Sequence, residues 1–506
     1  MICTVNSVAL KGLDGFMVRT ECFVDRGLWE LGVIGLPDAA VNESVDRINA
    51  VISNCGLPVK KGRTTINLAP ADVKKSGAVH DLAMLVSLLK FTLFEEVELD
   101  GMCFVGELSL SGELRPCRGA LSMAIAARDA GMKEIYFPAV NANEASMVEG
   151  ITVYGINNVG ELCRHLRRTQ RLDPAVFDRS EVRKNSHLLI DFADIKGQES
   201  AKRAAEIAAA GGHNLLLIGP PGSGKSMISK AIPGILPDMS FDEILETTKI
   251  HSICGMLESG VVDTRPFRSP HHTMSFVGLA GGGANPMPGE ISLCHNGVLF
   301  LDELPEFDKK ALEILRQPLE DKCITITRAS GKVTFPAAFM LVCAMNPCPC
   351  GYFGSDQRSC SCSKHTVSKY ISKISGPLLD RIDIQIEVGA VNFEQLSDKR
   401  RGESSEQIRE RVNRARSIAR ERYKEHGIGC NAQLNGALTK EFCRFDEAAG
   451  RLLESAFKKL AMSARGYDRI LRMARTIADL DGCEMIGEDH ILEAIQLRSL
   501  DRKYFQ

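Results

Sequence analysis

Leu215-Leu-Leu-Ile-Gly-Pro-Pro-Gly-Ser-Gly-Lys-Ser226 is the stretch whose reading decides the fold. Its four uninterrupted apolar residues read as a strand. The remainder fits G-x-x-x-x-G-K-[S/T], and Met227-Ile-Ser-Lys230 then reads as the first turn of a helix. Strand, glycine-rich loop and helix in that order are the context a phosphate-binding loop needs. Gly219, Gly222 and Gly224 let successive N–H groups converge on an anion, because positive φ costs glycine nothing. Pro220, Pro221 and Ser223 complete the loop, and the helix behind it adds its N-terminal dipole. Lys225 is expected to reach the β- and γ-phosphates and Ser226 to hold Mg²⁺, so ATP and Mg²⁺ are the expected cofactors.

Two further strand ends complete the reading. Gly297-Val-Leu-Phe-Leu-Asp-Glu303 is another apolar run, and it closes on two carboxylates. Ligands of parallel sheets bind at the carboxyl ends of strands. Asp302 is therefore expected to support Mg²⁺ and Glu303 to polarise the attacking water. The run from Phe339 to Met345 ends in Asn346, an amide suited to sensing the γ-phosphate or the lytic water.

Between the first two motifs lies an insertion rich in turn formers, with Arg265-Pro-Phe-Arg-Ser-Pro-His-His272 and the glycine-rich run from Gly278 to Glu290. His271 and His272 are read as loop residues rather than metal ligands, since adjacent side chains diverge. Residues 323–327 and 333–335 predict a hairpin with Arg328 and Lys332 at or near its tip. Such charges are ordinarily solvated; in a ring, the tips would line a channel and hold a nucleic-acid backbone, which makes both residues DNA-contact candidates. Cys348-Pro-Cys350 and Cys360-Ser-Cys362 form C-x-C-x₉-C-x-C in a loop with few core-forming residues, a pattern that suits a tetrahedral Zn²⁺ clip. Reduced thiols in a loop are the alternative. In Ser375-Gly-Pro-Leu-Leu-Asp-Arg-Ile-Asp383, Arg381 falls between a helix end and a strand, where its guanidinium can meet a neighbouring subunit's nucleotide.

Beyond about 390 the chain reads as helical, with Ile408, Val412, Ala415 and Ala419 forming a stripe. Ser463 opens a later helix on which Arg465 could return to the phosphates, in competition with Arg469 and Arg472. The expected divisions are residues 1–166, a mixed α+β unit; 167–186, a charged linker with Pro174; 187–390, the nucleotide-binding α/β domain with its cysteine loop at 348–362; and 391–506, a helical lid. Net charge of −2 over 506 residues excludes a generally basic nucleic-acid binder, so DNA contact must rest on local patches or on assembly. The opening residues carry no basic stretch followed by an apolar one, and no apolar run approaches a membrane span. With seventeen cysteines besides, a reducing cytoplasm and no membrane are expected.

Within the first unit, residues 66–81, 106–113 and 126–131 resemble the proteolytic domain of Lon-type proteases, itself similar to a ribosomal-S5-like fold. Where that family has its nucleophilic serine stands Val79, and where it has its lysine base stands Leu121 or Met123. A Ser/Lys dyad needs a hydroxyl and an amine in hydrogen-bond reach, so the scaffold without the peptidase is expected, although Lys75 and Ser76 lie nearby. Taken with Gly219 to Ser226, Arg265 to Thr273, Pro288 to Ser292, Gly297 to Phe307, the cysteine loop and Gly376 to Asp383, the chain resembles AAA+ ATPases of the magnesium-chelatase-like YifB/ComM family. The resemblance implies a homo-oligomeric, hexameric ring motor with ATP between subunits, acting on DNA as a branch-migration or helicase-type enzyme. Its hairpin and insertion look like those of replicative MCM helicases. A protein-remodelling or chelatase-like ATPase without DNA translocation is the alternative; the chain lacks the D-x-S-x-S metal-adhesion motif of a chelatase partner subunit.

Overall fold

The computed structural model describes residues 1–506 except 37, 74, 76, 179–189, 258–259, 284, 329–330, 355–357, 392–396, 398–400, 461, 499, 501–503 and 505–506. It divides into two compact units: Met1–Lys184 with Phe241–Asp263, and Asn185–Ser240 with Thr264–Gln506. The segment Phe241–Asp263, inside the range expected for the nucleotide-binding domain, thus packs with the first unit. Its helix Phe241–Ile253 buries Ile244, Thr247, Ile250 and Ile253 along one side. There Ser252 Oγ accepts the Gly119 N–H at 2.9 Å and Lys249 pairs with Asp14 at 2.8 Å.

A seven-stranded mixed sheet organises the first unit, in the order Glu30–Ile34, Arg63–Ala69, Asp14–Val24, Ile2–Lys11, Met102–Phe104, Glu134–Pro138, Thr152–Ile156. The first two strands in sequence form an antiparallel hairpin, and the last three pairings across the sheet are parallel. Helix Asp81–Leu89 is buried along its whole length, which its nearly all-apolar sequence permits. Its one carboxylate, Asp81, meets Arg47 at 2.7 Å. Leu121 and Met123 belong to the core, and Lys75, also buried, donates to the Pro70 carbonyl. Ser76 lies outside the described residues, as does the expected linker from 179 onward. The earlier part of that linker runs along the first unit, with Ala175 N–H donating to Val153 O at 2.8 Å.

In the second unit a five-stranded sheet runs Phe267–Arg268, Val298–Leu301, Met340–Met345, Leu215–Ile218, Ile384–Glu387, with every pairing parallel. Its three central strands are wholly buried, as their unbroken apolar runs require. The same apolar core continues through helix Glu199–Gly211 into the C-terminal helices Ser405–Arg422, Ala464–Leu480 and Glu488–Gln496. Alanines 201, 204, 205 and 208 present small side chains in this core, and Ile408, Val412, Ala415 and Ala419 pack there as the stripe predicts. Arg416 then donates to the carbonyls of Ala209 and Ala210 at 2.9 and 3.0 Å, satisfying acceptors that the end of the first helix leaves open. Among the described residues, no helix is long and apolar enough to cross a membrane.

Candidate functional site

Register brings the three expected strand ends together. Ile218 pairs with Met345 and Leu301 with Cys343, so the glycine loop, Asp302 and Asn346 emerge along one edge of the sheet. At the start of the loop, a Cβ on Gly219 would stand 2.1 Å from the Val388 carbonyl oxygen, which leaves room for glycine alone. Gly222 and Gly224 have φ of +75° and +91°, the left-handed region that the inward-facing loop needs.

Lys225 opens helix Lys225–Ala231 and turns back into the loop. Its Nζ donates to the carbonyls of Gly219 and Pro220, both at 2.8 Å, and lies 3.3 Å from Asn346 Oδ1. Burial away from water pushes its ammonium down to about 8, opposed by the charge of Asp302. An unscreened cation ringed by neutral acceptors has a strong demand for an anion. Beside it, Ser226 Oγ donates to Asp302 Oδ2 at 2.7 Å, so a hydroxyl and a carboxylate 76 positions apart in the chain converge on one point. Both oxygens are hard ligands of the kind Mg²⁺ takes.

Glu303 leaves the strand with φ of +51°, and this sharp turn keeps its carboxylate out of the core, with the side chain 56% exposed. Asp302 Oδ1 accepts the Glu303 N–H at 2.9 Å and so holds the turn. Glu303 Oε2 lies 3.5 Å from Nδ1 of His272, a neighbour that the motif reading had not assigned to this site. The expectation that His271 and His272 diverge is corrected: the ring centroids are 4.1 Å apart, because the backbone turns at this point and folds one imidazole over the other. Among the described residues, no metal-ligand group includes them.

Gln198 is a second residue that the sequence reading passed over. Held at φ of +61°, it donates its amide to the carbonyls of Ser223 at 3.2 Å and Gly389 at 2.6 Å, tying the loop to the end of the edge strand. Nothing in its spacing signals this, since its partners are distant in sequence.

Arg381 follows helix Gly376–Leu379, as expected, but its guanidinium is folded onto Glu320 and the Pro377 carbonyl with the side chain 13% exposed. None of its described contacts is with its own phosphate loop. Two residues on, Asp383 is 13% exposed; despite its partial burial, His213 at 3.4 Å, then Arg472 and Arg469, hold its carboxyl well below the usual range. Of the three candidate arginines on helix Ala464–Leu480, Arg469 is buried beside Asp380 and Asp383, each 3.8 Å away, and Arg472 donates to the Ala432 carbonyl at 3.1 Å. Arg465, in the first turn behind the Ser463 cap, is exposed.

The hairpin forms from Cys323–Arg328 and Gly331–Pro336, with Thr327 opposite Lys332 and Arg328 opposite Gly331. Arg328 and Lys332 are exposed, and Ala329 and Ser330 lie outside the described residues. An added Cβ on Gly282, in the insertion, would lie 3.4 Å from Arg328 Nη2, so the insertion and the hairpin form one surface.

Directly after Asn346, the sulfurs of Cys348, Cys350, Cys360 and Cys362 all lie within 4.8 Å of one another, the one metal-ligand group among the described residues. The Tyr352 N–H in particular holds the Cys350 thiol down at about 5.

Against known proteins, the family described as "Magnesium chelatase, subunit ChlI" matches residues 191–396, its C-terminal counterpart residues 402–498, and "Subunit ChlI of Mg-chelatase" residues 20–141. Competence protein ComM of Haemophilus influenzae is 39% identical over 507 residues, covering 99% of this chain and 98% of its own length. YifB of Escherichia coli, described as uncharacterised, is 39% identical over 504 residues, 98% of this chain and 97% of its own. More distantly, DNA replication licensing factor mcm-6 of Caenorhabditis briggsae is 23% identical over 343 residues, 64% of this chain and 37% of its own length.

Proposed function

Since the chain belongs to the magnesium-chelatase-like AAA+ ATPases of the ComM and YifB type, we propose that it hydrolyses ATP as a ring-shaped motor that acts on DNA. The observation that carries the ATP reading is the 2.7 Å contact between Ser226 and Asp302 beside the buried Lys225. In this reading Lys225 exchanges the Gly219 and Pro220 carbonyls for β- and γ-phosphate oxygens, and Ser226 and Asp302 hold Mg²⁺, which would neutralise charge on the phosphates. Glu303 takes the proton of the attacking water, and Asn346, already beside Lys225, orients that water or the γ-phosphate. Arg381 serves the nucleotide of the adjacent subunit, since its contacts in its own chain lead elsewhere; leaving Glu320 is the cost of that engagement. Of Arg465, Arg469 and Arg472, Arg465 is the one with no competing partner among the described contacts. The four cysteines hold Zn²⁺.

A head-to-tail contact of this kind closes into a ring when the rotation permits, and a hexamer is the ring we propose. DNA is the proposed substrate because two exposed cations, Arg328 and Lys332, stand on a hairpin beside the glycine-rich insertion, and because ComM is named for competence and mcm-6 for DNA replication. The test is the rate of ATP hydrolysis against single-stranded, duplex, forked and four-way DNA at stated salt. Stimulation by forked or four-way DNA is the expected result. A rate indifferent to every nucleic acid but raised by a protein partner would replace the DNA reading with protein remodelling.

A further inference from the structure

We propose that the four-cysteine loop is a zinc clip whose metal holds the phosphate loop and Asn346 in their nucleotide-binding positions. This rests on the ATP and zinc readings above and adds a dependence of one on the other.

The sulfur geometry fits one ion. A tetrahedral zinc with Zn–S bonds of about 2.3 Å separates its sulfurs by about 3.8 Å. Cys348 to Cys350 is 3.3 Å, Cys350 to Cys360 is 3.6 Å and Cys348 to Cys360 is 3.7 Å. A disulfide needs about 2.05 Å, so these are unpaired thiols, and four sulfurs within 4.8 Å leave no space for the bridging sulfides of an iron–sulfur cluster. Soft sulfur ligands in this arrangement select zinc among the common divalent ions. The backbone supports the charge, with the Cys362 N–H 3.4 Å from the Cys360 sulfur.

Apart from the ring contacts of Phe353 with Tyr504 and of Arg358 with Tyr352, little besides a metal can order this loop. Among the described residues of 348–362, only Cys348 and Gly351 are buried. Apolar burial on that scale does not offset the entropy of fixing the backbone.

Two contacts carry the loop's position to the nucleotide site. Gly351, between the two cysteine pairs, has φ of +87°, and a Cβ there would lie 2.5 Å from Cδ and 2.7 Å from Cγ of Pro221. The clip therefore rests its backbone directly on the third residue of the phosphate loop, and Pro221 is otherwise exposed. At its other end the clip begins two residues after Asn346, whose Oδ1 lies 3.3 Å from Lys225 Nζ. Loss of the metal frees the neighbours of the γ-phosphate site on both sides.

The experiment uses the full chain purified under reducing conditions without added metal. Zinc is counted by elemental analysis, and binding of a fluorescent ATP analogue with Mg²⁺ is titrated before and after stripping with a zinc-selective chelator. Gly351→Val is measured in parallel, because it leaves all four thiols in place while driving side-chain atoms into Pro221. About one zinc per chain is expected. Binding should weaken at least about tenfold on stripping and recover on zinc addition, and Gly351→Val should retain zinc yet bind comparably weakly. No bound metal would end the zinc reading. Zinc present, with stripped protein and Gly351→Val each within twofold of the untreated chain, would end the coupling while leaving the zinc and ATP readings intact. Should the stripped protein unfold, the Gly351→Val titration decides alone. Failure of the zinc-loaded chain to bind nucleotide would instead refute the ATP reading.

Discussion

Nucleotide affinity should fall as pH rises above 8, and the reason is the surroundings of one ammonium. Lys225 is buried, and its nearest acceptors are the neutral carbonyls of Gly219 and Pro220 and the Asn346 amide, so desolvation lowers it to about 8 before any phosphate arrives. A bound triphosphate favours the protonated form and raises that value again, so binding is coupled to proton uptake. Below about 8 the cation is already present and affinity is full; above it each bound nucleotide must first recruit a proton. Apparent Kd should therefore rise by about tenfold per pH unit beyond 8, or about 1.4 kcal/mol per unit. The ligand does not contribute this slope, because terminal phosphates are already ionised there, with their last pKa near about 6. A titration of fluorescent ATP analogue from pH 7 to 9.5, at fixed ionic strength and Mg²⁺, measures the slope. Calorimetry in buffers of different ionisation heat counts the proton. Lys225→Arg keeps its charge across the range, so its own weaker affinity should stay flat. A wild-type Kd that changes less than threefold between pH 7.5 and 9.5, or an arginine variant that declines in parallel, would refute the argument.

Other outcomes follow from particular contacts. Glu303→Gln should bind ATP normally while losing about 10²-fold or more in turnover. Mixing it with Arg381→Ala should restore part of the activity through complementary seams; no recovery in mixed assemblies would count against a shared site. Lys332→Ala should reduce stimulation by DNA and lower the salt slope of DNA binding by about one, with unstimulated hydrolysis retained; an unchanged slope would remove the hairpin from the DNA path. In the first unit, His80 is wholly buried, with Nδ1 2.9 Å from Ser7 Oγ, and burial together with Lys75 lowers it to about 4. Because this lies below its value of 6.5 when unfolded, the unfolded chain gains the proton first as pH falls. The stabilisation is complete above about 6.5 and shrinks toward 4, by about 2–3 kcal/mol between pH 7 and 4.5. Urea unfolding of wild type and His80→Leu at the two pH values tests it, the variant being expected to lose that part of the acid sensitivity.

Much of the nucleotide-binding unit was legible because its signals are local. Four apolar residues ahead of Gly219 and four ahead of Asp302 announce buried parallel strands wherever they occur, and both strands lie where the runs put them. The stripe at Ile408, Val412, Ala415 and Ala419 faces the core because helical periodicity leaves it no other common side. Less was legible where a side chain's partner lies far along the chain. The segment Phe241–Asp263 carries no mark that it packs with the first unit. Neither does Arg381 announce Glu320, nor Gln198 its bridge between Ser223 and Gly389. The histidine pair misled because adjacency implies divergence only in regular backbone, and this backbone turns.

By itself, then, the amino-acid sequence determined the chemistry available and the order in which it is carried: a glycine loop with its lysine, an acidic pair, an amide and four thiols, each following from short-range sterics and from the water that apolar runs avoid. Only the tertiary structure decided that Ser226 meets Asp302, that Lys225 is desolvated, and that the cysteine loop leans on Pro221. Those are contacts between residues tens of positions apart or more, and their distances are set by how the sheet registers and how its loops pack against each other, which no window of sequence contains.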